Sequence, residues 1–244
     1  MVGNPVPESI LVQEVVGILG VSAIVVACII FGNVAAISKL KEAGKPVGTM
    51  HWFPTIFAVL LSIESLTFSL TGVYELALDQ LYAPSAPAIV LPIFIMLGYS
   101  WKSETLREML DVTPDHWLFL PHVTRLSGFS ILALMWADVL PPHVAWPIGA
   151  GDILCAVVAI PAAIWVATGQ PKKPALLGFA ILGIADFVIA LQVTVWTLPL
   201  PIRFLHTDID STVLAFWPVG VAPTLYVPLL YLTLFSMIIK WKRA

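Results

Sequence analysis

The sequence predicts an all-α integral membrane protein with seven transmembrane helices. Hydrophobic residues make up 59% of the 244 residues, and charged residues make up only 11%. A soluble domain has about 45–50% apolar and about 25% charged residues, so most of this apolar surplus has to face lipid. Two further observations support the class: seven apolar stretches occur along the chain, and the Lys and Arg residues cluster between them.

Each apolar stretch approaches the length of about 20 residues that a helix needs to cross the hydrocarbon of a bilayer. The predicted spans are residues 10–37, 52–78, 86–101, 122–140, 147–168, 174–198 and 213–239. The polar residues 102–117, after the third span, predict an interfacial helix or loop. No loop is long enough for a soluble domain, so residues 1–244 are predicted to form one membrane domain surrounded by the lipid bilayer.

The distribution of basic residues predicts the orientation, because Lys and Arg near span ends favour the cytoplasmic side. With the N-terminus outside and the C-terminus in the cytoplasm, eleven of the 12 basic residues lie on the cytoplasmic side, and only Arg203 lies outside. The eleven are Lys39, Lys41, Lys45, Lys102, Arg107, Arg125, Lys172, Lys173, Lys240, Lys242 and Arg243. Other span counts would scatter this pattern.

Several function classes lack their sequence signatures. No basic stripe, zinc-ligand spacing or aromatic RNA-binding motif is present, so nucleic-acid binding is not expected. The histidines (His51, His116, His122, His143 and His206) all fall at predicted span ends or in loops, which disfavours haem or chlorophyll ligation. No lysine lies inside a predicted span, which excludes a retinal Schiff base. The sequence identifies no cofactor and no metal site.

The second span carries the clearest helical pattern of polar residues. Glu64, Thr67, Thr71 and Glu75 are spaced three, four and four residues apart, which places them on one helix face. Because this span runs from the inside to the outside, the polar stripe begins at mid-membrane and continues outward. It predicts one wall of a polar site.

Further carboxylates fall in the same outer half. Asp138 ends the fourth span, Asp152 opens the fifth, and Asp186 lies midway along the sixth. Ionisable residues at such depths are costly and usually mark a site for an ion, proton or polar solute. We therefore expect an acidic cavity that is open to the outside and closed toward the cytoplasm. Its predicted ligands are Glu64, Asp186, Asp152, Thr67, Thr71 and Asp138, with Glu75 nearby.

Structural interpretations of the same residues remain open. Asp152 can cap backbone N–H groups at a helix start, and Asp138 can mark a helix end in water. Glu64 and Asp186 can form interhelical hydrogen bonds. The prolines of span seven (Pro218, Pro223 and Pro228) predict a kink whose freed carbonyls bind an ion or are satisfied by Thr224.

Gly149-Ala150-Gly151-Asp152 also matches the GxGD motif of intramembrane aspartyl proteases. Such enzymes need two carboxylates that share a proton, and Asp138 or Asp186 is the candidate second aspartate. The Pro-Ala-Leu motif of these proteases is absent. The protease is therefore kept only as an alternative.

Three stretches resemble a group of uncharacterised bacterial multi-pass membrane proteins. They are Ala145-Trp-Pro-Ile-Gly-Ala-Gly-Asp152, Leu182-Gly-Ile-Ala-Asp186-Phe-Val-Ile-Ala190 and Ala222-Pro-Thr-Leu-Tyr-Val-Pro228. They match PxGxGD, LGxxDF and Ile-Pro-Thr-x-x-Val-Pro patterns, and Arg125 fits an arginine that precedes the first pattern. The chain departs from the group in having Trp146 for a Phe of the first pattern and Ala222 for the Ile of the third. The resemblance covers roughly residues 122–235 and implies a prokaryotic cytoplasmic (inner) membrane, but no activity.

The sequence thus favours a membrane protein that binds or translocates a small solute or ion, and translocation coupled to protons is one version of this function. A structural or assembly subunit, with membrane-protein partner subunits, is the second class. The GxGD protease is the third.

Overall fold

The structure is a computed structural model that describes residues 8–76, 84–199 and 204–243, and these residues form helices and no strand. Within these described residues, seven segments are long and apolar enough to cross a membrane, which confirms the predicted number. The helices are α1 (Glu8–Glu42), α2 (Phe53–Leu70), α3 (Ser85–Lys102), α4 (Glu104–Val112), α5 (Leu120–Val123), α6 (Gly128–Trp136), α7 (Pro142–Ala167), α8 (Lys172–Thr197) and α9 (Val227–Arg243).

Several helix boundaries differ from the predicted spans: the first spanning segment continues to Glu42, the fourth begins at Asp115 and the fifth begins at Pro142. The second helix ends at Leu70 because Gly72 takes a left-handed backbone conformation with φ 71°, and residues 77 and 78 lie outside the described part. The seventh spanning segment begins at Ala222; the expected start near residue 213 falls in a short 3-10 turn, Thr212–Ala215. Hydropathy alone does not detect such backbone breaks.

The fourth span, Asp115–Trp136, is interrupted twice. A 3-10 turn (Asp115–Leu118) precedes α5, and a second 3-10 turn (Thr124–Ser127) separates α5 from α6. Within a helix, 3-10 stretches often mark functional positions. The second turn carries Arg125 into the centre of the bundle.

Consecutive spans alternate in direction, so the bundle has two ends. We call the end where α1 begins the first end; α2, α6 and α8 finish there. The second end holds the last residues of α1, α3, α7 and α9 together with α4, the predicted interfacial segment. Ser103 caps α4 by accepting a hydrogen bond from the backbone N–H of Leu106 at 3.0 Å.

The fourth span and the segment that contains α9 are the most buried of the seven spanning segments. Helix α7 packs against α6 and α8, and α8 packs in turn on α9. A turn at Gly169, with φ 79°, joins α7 to α8 as an antiparallel pair. This arrangement brings the middle of the fourth span against the middles of α7 and α8. The site is formed at that crossing.

Candidate functional site

Arg125 lies at the centre of the site and is fully buried, with 0% of its surface exposed. Its Nε donates a hydrogen bond to Oδ1 of Asp152 on α7 at 2.6 Å. Its Nη2 donates to Oδ2 of Asp186 on α8. We call these three residues the Arg125 triad. One guanidinium therefore ties together three membrane spans.

Glycines permit the close helix contacts on which the triad depends. The helices α6 and α7 meet at Gly128 and Gly149, where a Cβ on Gly149 would come within 2.8 Å of the Gly128 carbonyl oxygen. A Cβ on Gly151 would overlap the carboxylate of Asp186. The GxGD sequence thus has a packing explanation: each glycine admits a neighbour, and Asp152 meets Arg125.

The remaining faces of the guanidinium are also enclosed. Its Cζ lies 4.1 Å from the ring centroid of Phe187, which is a cation–π contact. Nη1 has no hydrogen-bond partner among the described residues and lies near Gly183 on α8. Phe187 and Gly183 both belong to the second of the three resembling stretches, so that stretch surrounds Arg125.

An aromatic layer lies on the second-end side of the triad. Phe119 and Phe179 pack edge to face with ring centroids 5.3 Å apart. His122 packs against Phe179 and shares a 2.8 Å hydrogen bond with the hydroxyl of Thr233. The prediction that every histidine lies at a span end or in a loop is wrong for His122, because the fourth span begins at Asp115 and encloses it completely.

A cavity of about 160 Å³ extends from the triad toward the first end. Both triad carboxylates line it, as do Tyr74 and Ser211 from segments outside the spans. Its apolar lining includes Ile18, Ile89, Ile131, Ile148, Phe187, Ala190, Leu191, Leu214 and Val219. The cavity is therefore an apolar chamber with a charged inner end.

Tyr226 lies beside that charged end. It lines the cavity, is 3% exposed, and its hydroxyl makes no hydrogen bond of ordinary geometry within the described residues. The hydroxyl groups of Thr124 and Ser127 are its nearest polar neighbours. A buried hydroxyl without a partner is costly, so Tyr226 offers a free hydrogen-bonding group to an occupant.

Glu64 reaches the cavity only through a neighbour. Its Oε1 accepts a 2.8 Å hydrogen bond from the hydroxyl of Tyr74, a fully buried cavity residue. Burial, together with this hydrogen bond, raises the pKa of Tyr74 well above its usual value. Glu64 is half-buried and does not line the cavity itself.

The rest of the predicted polar stripe does not form a cavity wall. Thr67 and Thr71 are exposed, and the Thr71 hydroxyl donates to the backbone carbonyl of Thr67 at 2.7 Å. Glu75 falls in a 3-10 turn beyond the helix end. Packing selects another face of α2, which buries Pro54, Ala58, Leu61, Ser65 and Ser69.

Asp138 is also separate from the site. It is exposed at the first end, after α6, with a positive φ of 54°. Such a backbone conformation is tolerated by Asp at helix ends, which agrees with the structural interpretation. The expectation that five acidic residues line one cavity is therefore met only by Asp152 and Asp186.

The backbone between residue 220 and α9 is satisfied by hydroxyl groups. Ala222–Tyr226 forms a π turn, and the Thr224 hydroxyl donates to the Gly220 carbonyl at 2.7 Å. Ser65 lies 2.6 Å from the same hydroxyl, and because the single proton of Thr224 is used, Ser65 is the donor. The carbonyl of Gly220 therefore has its hydrogen-bond donor within the protein, which agrees with the interpretation that Thr224 satisfies the proline-rich segment.

Besides His122, two ionisable groups, Arg125 and Glu14, are buried although their burial was not predicted from the sequence. Arg125 was assigned to the cytoplasmic side, and its burial removes it from the positive-inside count. Glu14 on α1 is fully buried, and neither carboxylate oxygen has a partner in the described parts of the chain. Glu14, Ile18 and Ser22 share the inner stripe of α1, and that periodicity was the available signal.

A family profile described as Domain of unknown function (DUF8737) matches residues 83–240, more than half of the chain. The chain belongs to this family. The matched region contains the whole Arg125 triad and all three resembling stretches. No curated protein and no solved structure matches the chain.

The geometry also bears on aspartyl-protease chemistry. That chemistry requires two carboxylates that share a proton, whereas here a guanidinium bridges Asp152 and Asp186. The other candidate partner, Asp138, lies outside the site. The arrangement is suited to binding a charged group rather than to activating water.

Proposed function

We propose that this protein binds or translocates a small solute or ion in the cavity beside the Arg125 triad. The supporting observation is the charge balance: one guanidinium faces two carboxylates in a buried, largely apolar setting. With both carboxylates ionised, the triad carries one excess negative charge. An uncompensated charge at this depth is unfavourable, so a cation or proton is the natural complement.

The backbone around the cavity supports the same function. A 3-10 turn carries Arg125, and a π turn carries Tyr226. Membrane transporters commonly form their binding sites from interrupted helices near mid-membrane. Two such interruptions meet at one cavity in this protein.

We infer further that the first end faces outside and the second end faces the cytoplasm of a prokaryote, in its inner membrane. Without Arg125, ten of the eleven basic residues assigned inside still follow the positive-inside pattern. A membrane-impermeant maleimide should label Asp138→Cys in intact cells and spare Gly44→Cys. The parent chain, with Cys28 and Cys155, gives the background. Labelling of Gly44→Cys alone would reverse the orientation.

The binding function is tested by thermal unfolding of purified protein against a panel of inorganic cations, amines, inorganic anions, carboxylates and neutral solutes. A ligand at about 100 times its Kd stabilises the folded state by about 2.7 kcal/mol. At least one compound should raise the Tm of the parent protein. Asp186→Asn should abolish that increase, and the exposed control Asp138→Asn should retain it.

The proposal fails if no compound raises the Tm, or if Asp186→Asn responds like the parent. The second class, a structural or assembly subunit, would then gain support from partner subunits that remain bound in native mass spectrometry of protein purified from its own membrane. Peptide cleavage lost on Asp152→Ala would instead support the protease.

A further inference from the structure

We propose that the cavity accepts a small organic monocation, an amine or ammonium compound whose apolar body is about the size of benzene. This inference rests on the proposed binding function and names its ligand class. Cavity size, wall chemistry, charge and an unpartnered hydroxyl each restrict the occupant.

The volume sets the size of the apolar body. An engineered protein cavity of about 150 Å³ binds benzene, and the cavity here is about 160 Å³. A single ring or a short branched alkyl chain fits this space. Nucleotides and oligosaccharides are too large for it.

The walls select an apolar body over a hydrated inorganic ion. Most of the lining is aliphatic, and the three residues Ala190, Leu191 and Leu214 lie between the triad and the first end. Hard inorganic cations need about six or more oxygen ligands at once. The described residues contain no group of three or more His, Cys, Asp or Glu side chains placed to hold a metal ion. A cation that carries its own hydrocarbon is better matched to this chamber.

The charged end fixes where the cationic group lies. Arg125 uses Oδ1 of Asp152 and Oδ2 of Asp186, and Oδ1 of Asp186 lies against Gly151. Oδ2 of Asp152 lies beside the cavity, as does the Tyr226 hydroxyl, which has no hydrogen-bond partner among the described residues. The hydroxyl groups of Ser127 and Ser130 also line this part of the cavity. An ammonium group placed there donates to Oδ2 of Asp152 and to the Tyr226 hydroxyl, and balances the excess negative charge of the triad.

The test is calorimetric titration of the purified full-length protein with benzylammonium, benzyl alcohol and benzoate, which share a ring and differ in charge. Benzylammonium should bind at least about tenfold more tightly than either analogue, because only the ammonium group donates charge-assisted hydrogen bonds to a carboxylate. Equal binding of benzyl alcohol would overturn the charge requirement. Tighter binding of benzoate would overturn its sign.

Variants locate the ligand. Tyr226→Phe removes only the hydroxyl and should weaken benzylammonium binding about tenfold, and Asp152→Asn should abolish it. Ala190→Phe should also abolish it by filling the chamber without altering the triad, so the test remains decisive if Asp152→Asn does not fold. The exposed control Asp138→Asn should bind like the parent. Unchanged binding in Ala190→Phe and Tyr226→Phe would place the ligand elsewhere and overturn the inference.

Failure of this inference is distinguishable from failure of the proposed function. If sodium or another inorganic ion binds in an Asp186-dependent manner and benzylammonium does not, the ligand class is wrong and the binding function stands. If no compound of either panel binds, both fall.

Discussion

The two halves of the bundle, divided at the Arg125 triad, handle charge in opposite ways. In the half toward the first end, a guanidinium and two carboxylates are buried around a chamber, and Tyr226 and Glu14 have no partner among the described residues. In the half toward the second end, the charged groups are paired: Asp115 forms ion pairs with Lys172 at 3.1 Å and with the largely buried Lys240, and the exposed Arg243 lies 2.8 Å from Asp111.

The half toward the second end has a surface groove instead of an enclosed cavity. Its groove of about 690 Å³ runs between α1, α4 and α9 along the side of the bundle, and its walls include the exposed side chains of Phe31 and Leu120. This groove is open along the side of the bundle, whereas the cavity toward the first end ends at buried charges. The comparison teaches that buried polar groups without a full set of partners, rather than the number of charged residues, distinguish the candidate site from the opposite end.

The largest effect is expected for Arg125→Met, which leaves two buried carboxylates without their cation. Removing one partner of a buried ion pair destabilises a protein by about 3–5 kcal/mol. The variant should lose most of its folded yield, measured by size-exclusion chromatography and thermal unfolding in detergent. Lys173→Met, at an exposed position, is the matched control.

Combining Arg125→Met with Asp152→Asn and Asp186→Asn should restore part of the folded yield, because no isolated charge remains. If the single variant is as stable as the parent, the triad does not hold the three spans together.

The next effect is expected for Gly151→Ala, whose added methyl overlaps the carboxylate of Asp186. Overpacking of this kind costs about 1–3 kcal/mol, so thermal unfolding should occur at a lower temperature. Gly178→Ala is the control: it lies on the exposed side of α8 with nothing within 4 Å of the new Cβ. Equal Tm values for the two variants would contradict the close contact of α7 with α8.

A smaller effect is expected for Phe187→Leu, which keeps an apolar side chain and removes the aromatic face from Arg125. A desolvated cation–π contact contributes about 2 kcal/mol, and an exposed one about 0.5–1 kcal/mol. Denaturant unfolding should show that the free energy of unfolding decreases by an amount within that range. Phe94→Leu on the exposed side of α3 should show no decrease, and a comparable decrease there would argue against a special role for Phe187.

The smallest effect is expected for Asp111→Asn, in the half toward the second end. Both Asp111 and Arg243 are almost half exposed, and surface ion pairs contribute about 0–1 kcal/mol. The Tm should change little at moderate salt concentration and even less at high salt, where exposed charges are screened. If Asp111→Asn lowered the Tm as much as Arg125→Met does, the two halves of the bundle would not differ in how strongly their charges stabilise the fold.

Much of the framework was predictable from the chain. The seven spans follow from apolar length, because each stretch has to satisfy its backbone hydrogen bonds internally in lipid. Asp152 and Asp186 were predicted to belong to one site from their depth, and they do meet. The same argument failed for four other predicted ligands, because depth and helical spacing identify a position without showing what it contacts. These are Glu64, Thr67, Thr71 and Asp138, none of which lines the cavity.

By itself, the sequence determined the all-helical membrane class and the number of spans, and it predicted six polar ligands of which Asp152 and Asp186 line the cavity. Only the tertiary structure decided that Arg125 is buried between them, that α2 turns another face inward, and that a chamber ends at Tyr226. The physical reason is that apolar length and periodicity describe a single helix and carry no information about its contacts with other helices. The partners of a buried charge, in contrast, are chosen by how closely glycines such as Gly149 and Gly151 let separate helices approach.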